Sequence, residues 1–227
     1  MILDAVVPAR NEASTIAAVI GALRECAYVR ETVVVDDGST DDTGDVARAA
    51  GAKVVRRDAA RGSKAHAMAI GVASTDADAI FFVDADLIGV TSAHLDAVCR
   101  PFVDRRCAMS IGTFDYGWRN PFILRLPPTT GERVVARRIF EAIPPERLDG
   151  FTIEVTINDV IAEARLTTVA RVMKGVTHRT KREKFGQVEG WRRTLRMFRS
   201  IFALPFNGSV RWRAIWFYWR GLTIERS

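Results

Sequence analysis

The chain opens on an apolar run, ILDAVV at residues 2–7, and turns polar at PARNEAST, after which Ile16, Val19, Ile20 and Leu23 recur at the spacing of one helical face. A buried strand followed by an amphipathic helix is predicted, and the cycle repeats. Thr32–Val35 is β-branched and ends in Asp36-Asp37-Gly38-Ser39, and Asp42–Ala50 reads as a helix closed by Gly51. Lys53–Val55 reads as a third strand, and Ser63–Ser74 as a helix capped by Ser63. Ala79–Val83, AIFFV, is the most apolar strand and runs directly into Asp84-Ala85-Asp86; a helix over Thr91–Val103 and a strand over Ala108–Thr113 follow. Strands alternating with helices predict an α/β fold with a mostly parallel sheet covered on both faces. In such sheets ligands gather beyond the carboxyl ends of the strands, where PARNE, DDGSTDD and DAD stand here.

Beyond residue 114 the pattern loosens. Pro121, Pro127 and Pro128 mark a loop of the length used for active-site lids. Gly131–Ile143 reads as a helix stopped by Pro144-Pro145, Phe151–Leu166 as a second helix, and Thr167–Val172 as a return to the sheet. A basic amphipathic helix is expected near Val188–Phe202. The division that follows is one domain over 1–185, with a binding half at 1–113 and a second half at 114–185, and a basic aromatic C-terminal extension over 186–227.

Composition narrows the class. Among 227 residues, no run reaches the ~18 apolar positions a spanning helix needs. The N-terminus lacks the basic and apolar regions of a signal peptide, so the expected location is cytoplasmic. Cys26, Cys99 and Cys107 have neither disulfide nor zinc spacing and read as small core residues. The net charge of +6 is uneven: residues 171–227 hold 14 Lys and Arg against 3 Asp and Glu, +11, which leaves −5 for residues 1–170. An acidic body suits carboxylates that hold a cation, and a basic tail suits a phosphate-rich surface.

At the end of the AIFFV strand the chain turns, so Asp84 and Asp86 can approach one point. Hard cations such as Mg²⁺ or Mn²⁺ are held by one or two carboxylates plus substrate phosphates, although a solvated turn has the same composition. Asp37 is placed to accept from a base N–H or a ribose hydroxyl, while Ser39, Thr40 and Asp41 serve as a helix cap and leave it free. Lys64, after Arg61-Gly62-Ser63 at a helix start, can draw a diphosphate or stand as a solvated surface lysine.

The order AVVPARNEASTI, VVVDDGSTDDT, RGSKAHAMAIG, FFVDADL resembles glycosyltransferase family 2, whose members have the GT-A fold, a Rossmann-like sheet flanked by helices. The likeness covers roughly residues 2–180 and extends to ERVVARRIFEAIPPERLDGFTIEVTINDVI. The resemblance implies a transferase that moves a sugar from a UDP- or GDP-linked donor, with Mn²⁺ or Mg²⁺ as cofactor. It makes Pro8, Ala9, Arg10 and Glu12 the wall around the base, Asp37 its contact, and Lys64 a neighbour of base or phosphates. Asp84 and Asp86 match the Asp-x-Asp pair, with Ala85 between them on the donor, Asp86 the more direct metal ligand and His178 a third. Glu154 matches the acidic residue that faces acceptor or donor sugar, and with Asp86 it is the candidate catalytic residue; Asp159 is the other candidate base.

The acceptor stays open at this level. A polyprenyl phosphate or another membrane-associated acceptor fits the tail, where Trp191, Trp212, Trp216 and Trp219 interleave with arginines in the manner of a peripheral, inner-face membrane foot. Packing on the domain or a homodimer contact uses the same residues; nucleic acid is disfavoured because no recognised module accompanies the charge. The alternative within sugar transfer is a retaining enzyme resembling glucosyl-3-phosphoglycerate synthase, with a small phosphorylated acceptor. A sugar-1-phosphate nucleotidyltransferase would need a glycine-rich loop where PARNEAST stands, and a non-catalytic nucleotide-sugar binding module is disfavoured by the intact Asp84, Asp86 and Lys64.

Overall fold

The computed structural model describes residues 1–58, 62–117, 130–144, 147–148, 153–178 and 212–225. In chain order the elements are β1 (Leu3–Ala9), α1 (Ile16–Arg24), β2 (Thr32–Asp36), α2 (Thr43–Ala49), β3 (Lys53–Arg56), α3 (Lys64–Ala73), β4 (Ala79–Phe82), β5 (Leu87–Ile88) and α4 (Ser92–Val103). Then come β6 (Met109–Phe114), β7 (Arg133–Ala136), α5 (Arg137–Glu141), α6 (Ile153–Glu163), β8 (Thr168–Met173), β9 (Thr177–His178), α7 (Trp212–Gly221) and β10 (Leu222–Glu225).

Eight strands form one sheet in the order β10-β8-β6-β7-β4-β1-β2-β3. All neighbours are parallel except β7, which runs antiparallel between β4 and β6. Side chains alternate across the sheet, so each strand feeds two cores. Leu3, Ala5, Val7 and Phe81 face α1 and α4, whereas Val6, Ile80 and Phe82 face α3 and α6. Phe81 and Phe82 are both fully buried, and each contributes roughly 2–3 kcal/mol by leaving water.

The predicted elements of residues 1–114 are present, with Ser63 capping α3 as expected. One reading is corrected. The helix expected over Gly131–Ile143 is instead a strand, Arg133–Ala136, followed by the one-turn helix α5. Val135, Ala136, Ile139, Phe140 and Ile143 fall on one helical face, but Val134 and Val135 are β-branched, and the gap between β4 and β6 offers hydrogen-bond partners along both edges.

In the described part of the C-terminal extension, α7 packs on α6 with Tyr218 only 3% exposed, and β10 adds a parallel edge strand to β8. Sheet hydrogen bonds draw the last residues onto the body, and Trp216 and Trp219 remain about half exposed. The helix expected near Val188–Phe202 and most of the lid after residue 114 lie outside the described residues. Among those described, no helix is long and apolar enough to cross a membrane.

Candidate active site

The carboxyl ends of β1, β2 and β4 meet along one rim, and neutral hydrogen bonds lace them. After Pro8 and Ala9 the chain passes Arg10 and bends at Asn11, whose φ of 57° is one that Asn tolerates. Asn11 Oδ1 accepts from Thr40 N at 2.8 Å, and its own N donates to Ser39 Oγ at 3.0 Å. Glu12, buried, donates its N–H to Thr43 Oγ1 at 2.8 Å, and Thr15 Oγ1 donates to Ala85 O at 2.8 Å. The first loop is thereby tied both to the DDGST loop and to the Asp-x-Asp turn.

Asp36 and Asp37 share the work of holding these loops. Asp36 Oδ1 accepts from Ser39 N at 2.9 Å. Asp37, expected to be left free, is engaged on both oxygens: Oδ2 accepts from Ser63 N at 2.6 Å, and Oδ1 meets Arg57 at 2.9 Å. The burial of its carboxylate, 4% exposed, demands such partners. Gly62 permits the approach, since a Cβ there would lie 2.8 Å from the Arg10 guanidinium and 2.9 Å from Asp37 Oδ2.

Lys64 occupies the centre. As the first residue of α3 it reaches across to Asp84 Oδ1 at 2.5 Å and Glu154 Oε1 at 2.7 Å. Burial alone disfavours its ammonium, but the two carboxylates outweigh that and raise its pKa above the ordinary lysine value. Asp84 and Asp86 are half-buried at the end of β4 with Ala85 buried between them. Glu154, in the first turn of α6, is 5% exposed. Asp159, the other candidate base, is committed to Arg147 at 2.7 Å.

The second half contributes two charges that sequence reading missed. Arg133 is fully buried; it donates to Thr130 O, to Glu154 O at 2.9 Å and to Asn158 Oδ1 at 3.2 Å, fastening the start of β7 to the helix that carries Glu154. Glu132, also fully buried, accepts from Thr130 Oγ1, while its Oε1 has no hydrogen-bond partner. Burial, and after it the charge of Asp84, push the Glu132 carboxyl above the usual range. Leaving such an oxygen unmet costs about 1–3 kcal/mol. Gly131 lets this segment pass over the Asp-x-Asp turn, because any Cβ there would collide with the Asp84 carboxylate. A Gly-Glu-Arg triplet beside a β-branched pair was the available signal, hidden by the helical period.

His178 reaches the same rim by a route too short to read from sequence. β5 and β9 form a two-stranded antiparallel ribbon that pairs Leu87 with His178, setting the histidine across from the residue that follows Asp86. Its ring packs 5.2 Å from that of Phe114. Among the described residues no three His, Cys, Asp or Glu side chains converge into a preformed metal cage. The donor chemistry nevertheless fits a hard divalent cation, since carboxylates that crowd one ammonium are a set that an additional cation would relieve.

The family model for Glycosyl transferase family 2 matches residues 4–166. Glucosyl-3-phosphoglycerate synthase of Mycobacterium tuberculosis is 32% identical over 160 residues, which are 63% of this chain and 48% of that enzyme. The chain thus spans about half the length of the curated relatives it matches. A crystal structure of the mycobacterial enzyme in complex with Mg²⁺ and uridine-diphosphate superposes with a TM-score of 0.68 at 26% identity, covering 78% of this chain and 71% of the other. Another, in complex with Mn²⁺, uridine-diphosphate-glucose and phosphoglyceric acid, gives 0.66 at 25% identity over 78% and 71%.

Proposed function

The chain belongs to glycosyltransferase family 2, and from that membership we propose that it transfers glucose from UDP-glucose, with Mn²⁺ or Mg²⁺, to a small acceptor that carries a phosphate group. The observation that carries this reading is the Lys64 ammonium held between Asp84 and Glu154 at the carboxyl ends of the strands, where an α/β sheet binds its ligands. The glucosyl-3-phosphoglycerate synthases it resembles support the choice of donor and acceptor class.

In this reading Pro8, Ala9, Arg10 and Glu12 line the base, with Asp37 holding the loop from Ser63 that closes on it. Asp84, Asp86 and His178 hold the cation. When bound, that ion offsets charge on the departing diphosphate, a contribution typically worth several kcal/mol. Lys64 bridges the Asp84 and Glu154 carboxylates, and it offers a second positive charge to the phosphates. Glu154, buried in the first turn of α6, faces the sugar being moved and orients it for attack. A membrane-associated acceptor is the second reading, favoured by the exposed Trp216 and Trp219 beside Arg220.

The test is transfer of glucose from UDP-glucose to phosphoglyceric acid in Mn²⁺ buffer. Asp86→Ala is expected to lower turnover at least ~100-fold with the melting temperature nearly unchanged, and EDTA is expected to do the same to the wild type. Full activity in either case would remove the metal assignment.

A further inference from the structure

Asp84 has two cations to serve. In the sugar-transfer reading its carboxylate helps to hold the divalent ion, yet its Oδ1 already meets the Lys64 ammonium at 2.5 Å. The same ammonium meets Glu154 Oε1 at 2.7 Å, so Lys64 stands between two carboxylates, one on the turn after β4 and one on α6. Like charges brought together need a cation between them, and a lysine built into the chain supplies it.

The parts of this bridge are not equally free to move. Glu154 has a side chain only 6% exposed, and its backbone O accepts from the buried Arg133 at 2.9 Å. Asp84 is hemmed in by Gly131, where a Cβ would collide with both carboxylate oxygens. Lys64 instead carries its charge on a flexible four-carbon stem that rises from the first residue of α3, and its side chain is 25% exposed. Rotation about that stem can carry the ammonium off Asp84 without moving a strand or a helix. Asp84, with 30% of its side chain exposed, is then open to a second cation.

We propose that Lys64 is an exchangeable internal cation: it stands on Asp84 until a nucleoside diphosphate draws the ammonium to its phosphates, and the Asp84 oxygen so released is taken by the divalent ion. This rests on the sugar-transfer reading of the same site. Lys64 thereby couples two ligands, because the diphosphate favours the ion both through its own oxygens and by withdrawing the lysine. A diphosphate can shift Lys64 only by the difference in its affinity for the two placements, and the resulting coupling acts equally in both directions. A lysine that stayed on Asp84 would weaken the ion and strengthen the diphosphate by separate, fixed amounts, leaving the coupling between them as it was.

The experiment measures Mn²⁺ binding by calorimetry, with and without UDP, in the wild type and in Lys64→Met. Lys64→Met is expected to bind Mn²⁺ alone at least ~5-fold more tightly than the wild type, and the factor by which UDP tightens Mn²⁺ is expected to fall at least ~5-fold. Lys64→Gln, whose amide can still donate to a carboxylate, is expected to shift both quantities in the same direction; it carries the test should thermal melts show the methionine variant unfolded. Mn²⁺ alone bound no more tightly by a folded variant, or a coupling factor equal to that of the wild type, would overturn the proposal. A wild type that binds neither Mn²⁺ nor UDP, separately or together, would instead sink the donor reading, and this inference with it.

Discussion

The rim of the site is built in two ways. On the side of β1 and β2, neutral side chains lace the loops, with Asn11, Ser39, Thr43 and Thr15 exchanging hydrogen bonds with backbone across three loops beside the buried Asp36 and Asp37 carboxylates that hold Ser39 and Ser63. On the side of β7 and α6, ionisable groups do it: the buried Arg133, Glu132 and Glu154, with the partly exposed Lys64 and Asp84. Neutral bonds contribute about 1 kcal/mol each and can be lost singly, whereas a buried charge that loses its partner is left with its full desolvation cost. The first side is therefore a tolerant frame and the second a sensitive one, with its charges poised for a ligand.

That contrast is open to measurement. The largest effect should come from Arg133→Met, which removes one cation and three donor contacts from the buried side. It is expected to cost about 3–5 kcal/mol in denaturant unfolding, and a loss under about 1 kcal/mol would show that the buried charges hold nothing together. Asn11→Ala probes the neutral side. It should cost only about 1–2 kcal/mol, from the lost Thr40 bond and from a backbone angle that alanine disfavours, with the rest of the lacing intact. A cost equal to that of Arg133→Met would erase the distinction.

The smallest effect depends on pH. Because the Glu132 carboxyl titrates above its ordinary range in the folded chain, the native state holds that proton more tightly than the unfolded one. Its contribution to stability is complete below the ordinary glutamate value, ~4.3, and is lost as pH rises through the raised one. Glu132→Gln cannot ionise. Metal-free melts should show it gaining on the wild type by up to a few degrees between pH 5 and pH 8, and a constant difference would mean that the carboxyl is not held protonated.

Much of the side built from β1, β2 and β4 was legible in the sequence. Each of its strands ends where an apolar run meets a polar cluster, and the Ser63 cap and the place of Lys64 at the start of α3 follow from local rules. The second half was less so. The helical period through residues 131–143 is real, but it was overruled by the two strand edges that accept β7. Asp37 was read as free because its partners, Arg57 and Ser63, are 20 or more residues away in sequence.

What the sequence determined by itself was the alternation of strand and helix, the sign of charge at each strand end and the family likeness carried by PARNE, DDGSTDD and DAD, because these depend on residues that are neighbours along the chain. Only the tertiary structure decided which charges face one another. Lys64 meets Glu154 across 90 positions, His178 is set opposite Leu87 by a two-residue ribbon, and the described tail closes the sheet through β10. Such pairings are fixed by sheet order and burial, since desolvation forces each enclosed charge to find a partner wherever the fold supplies one.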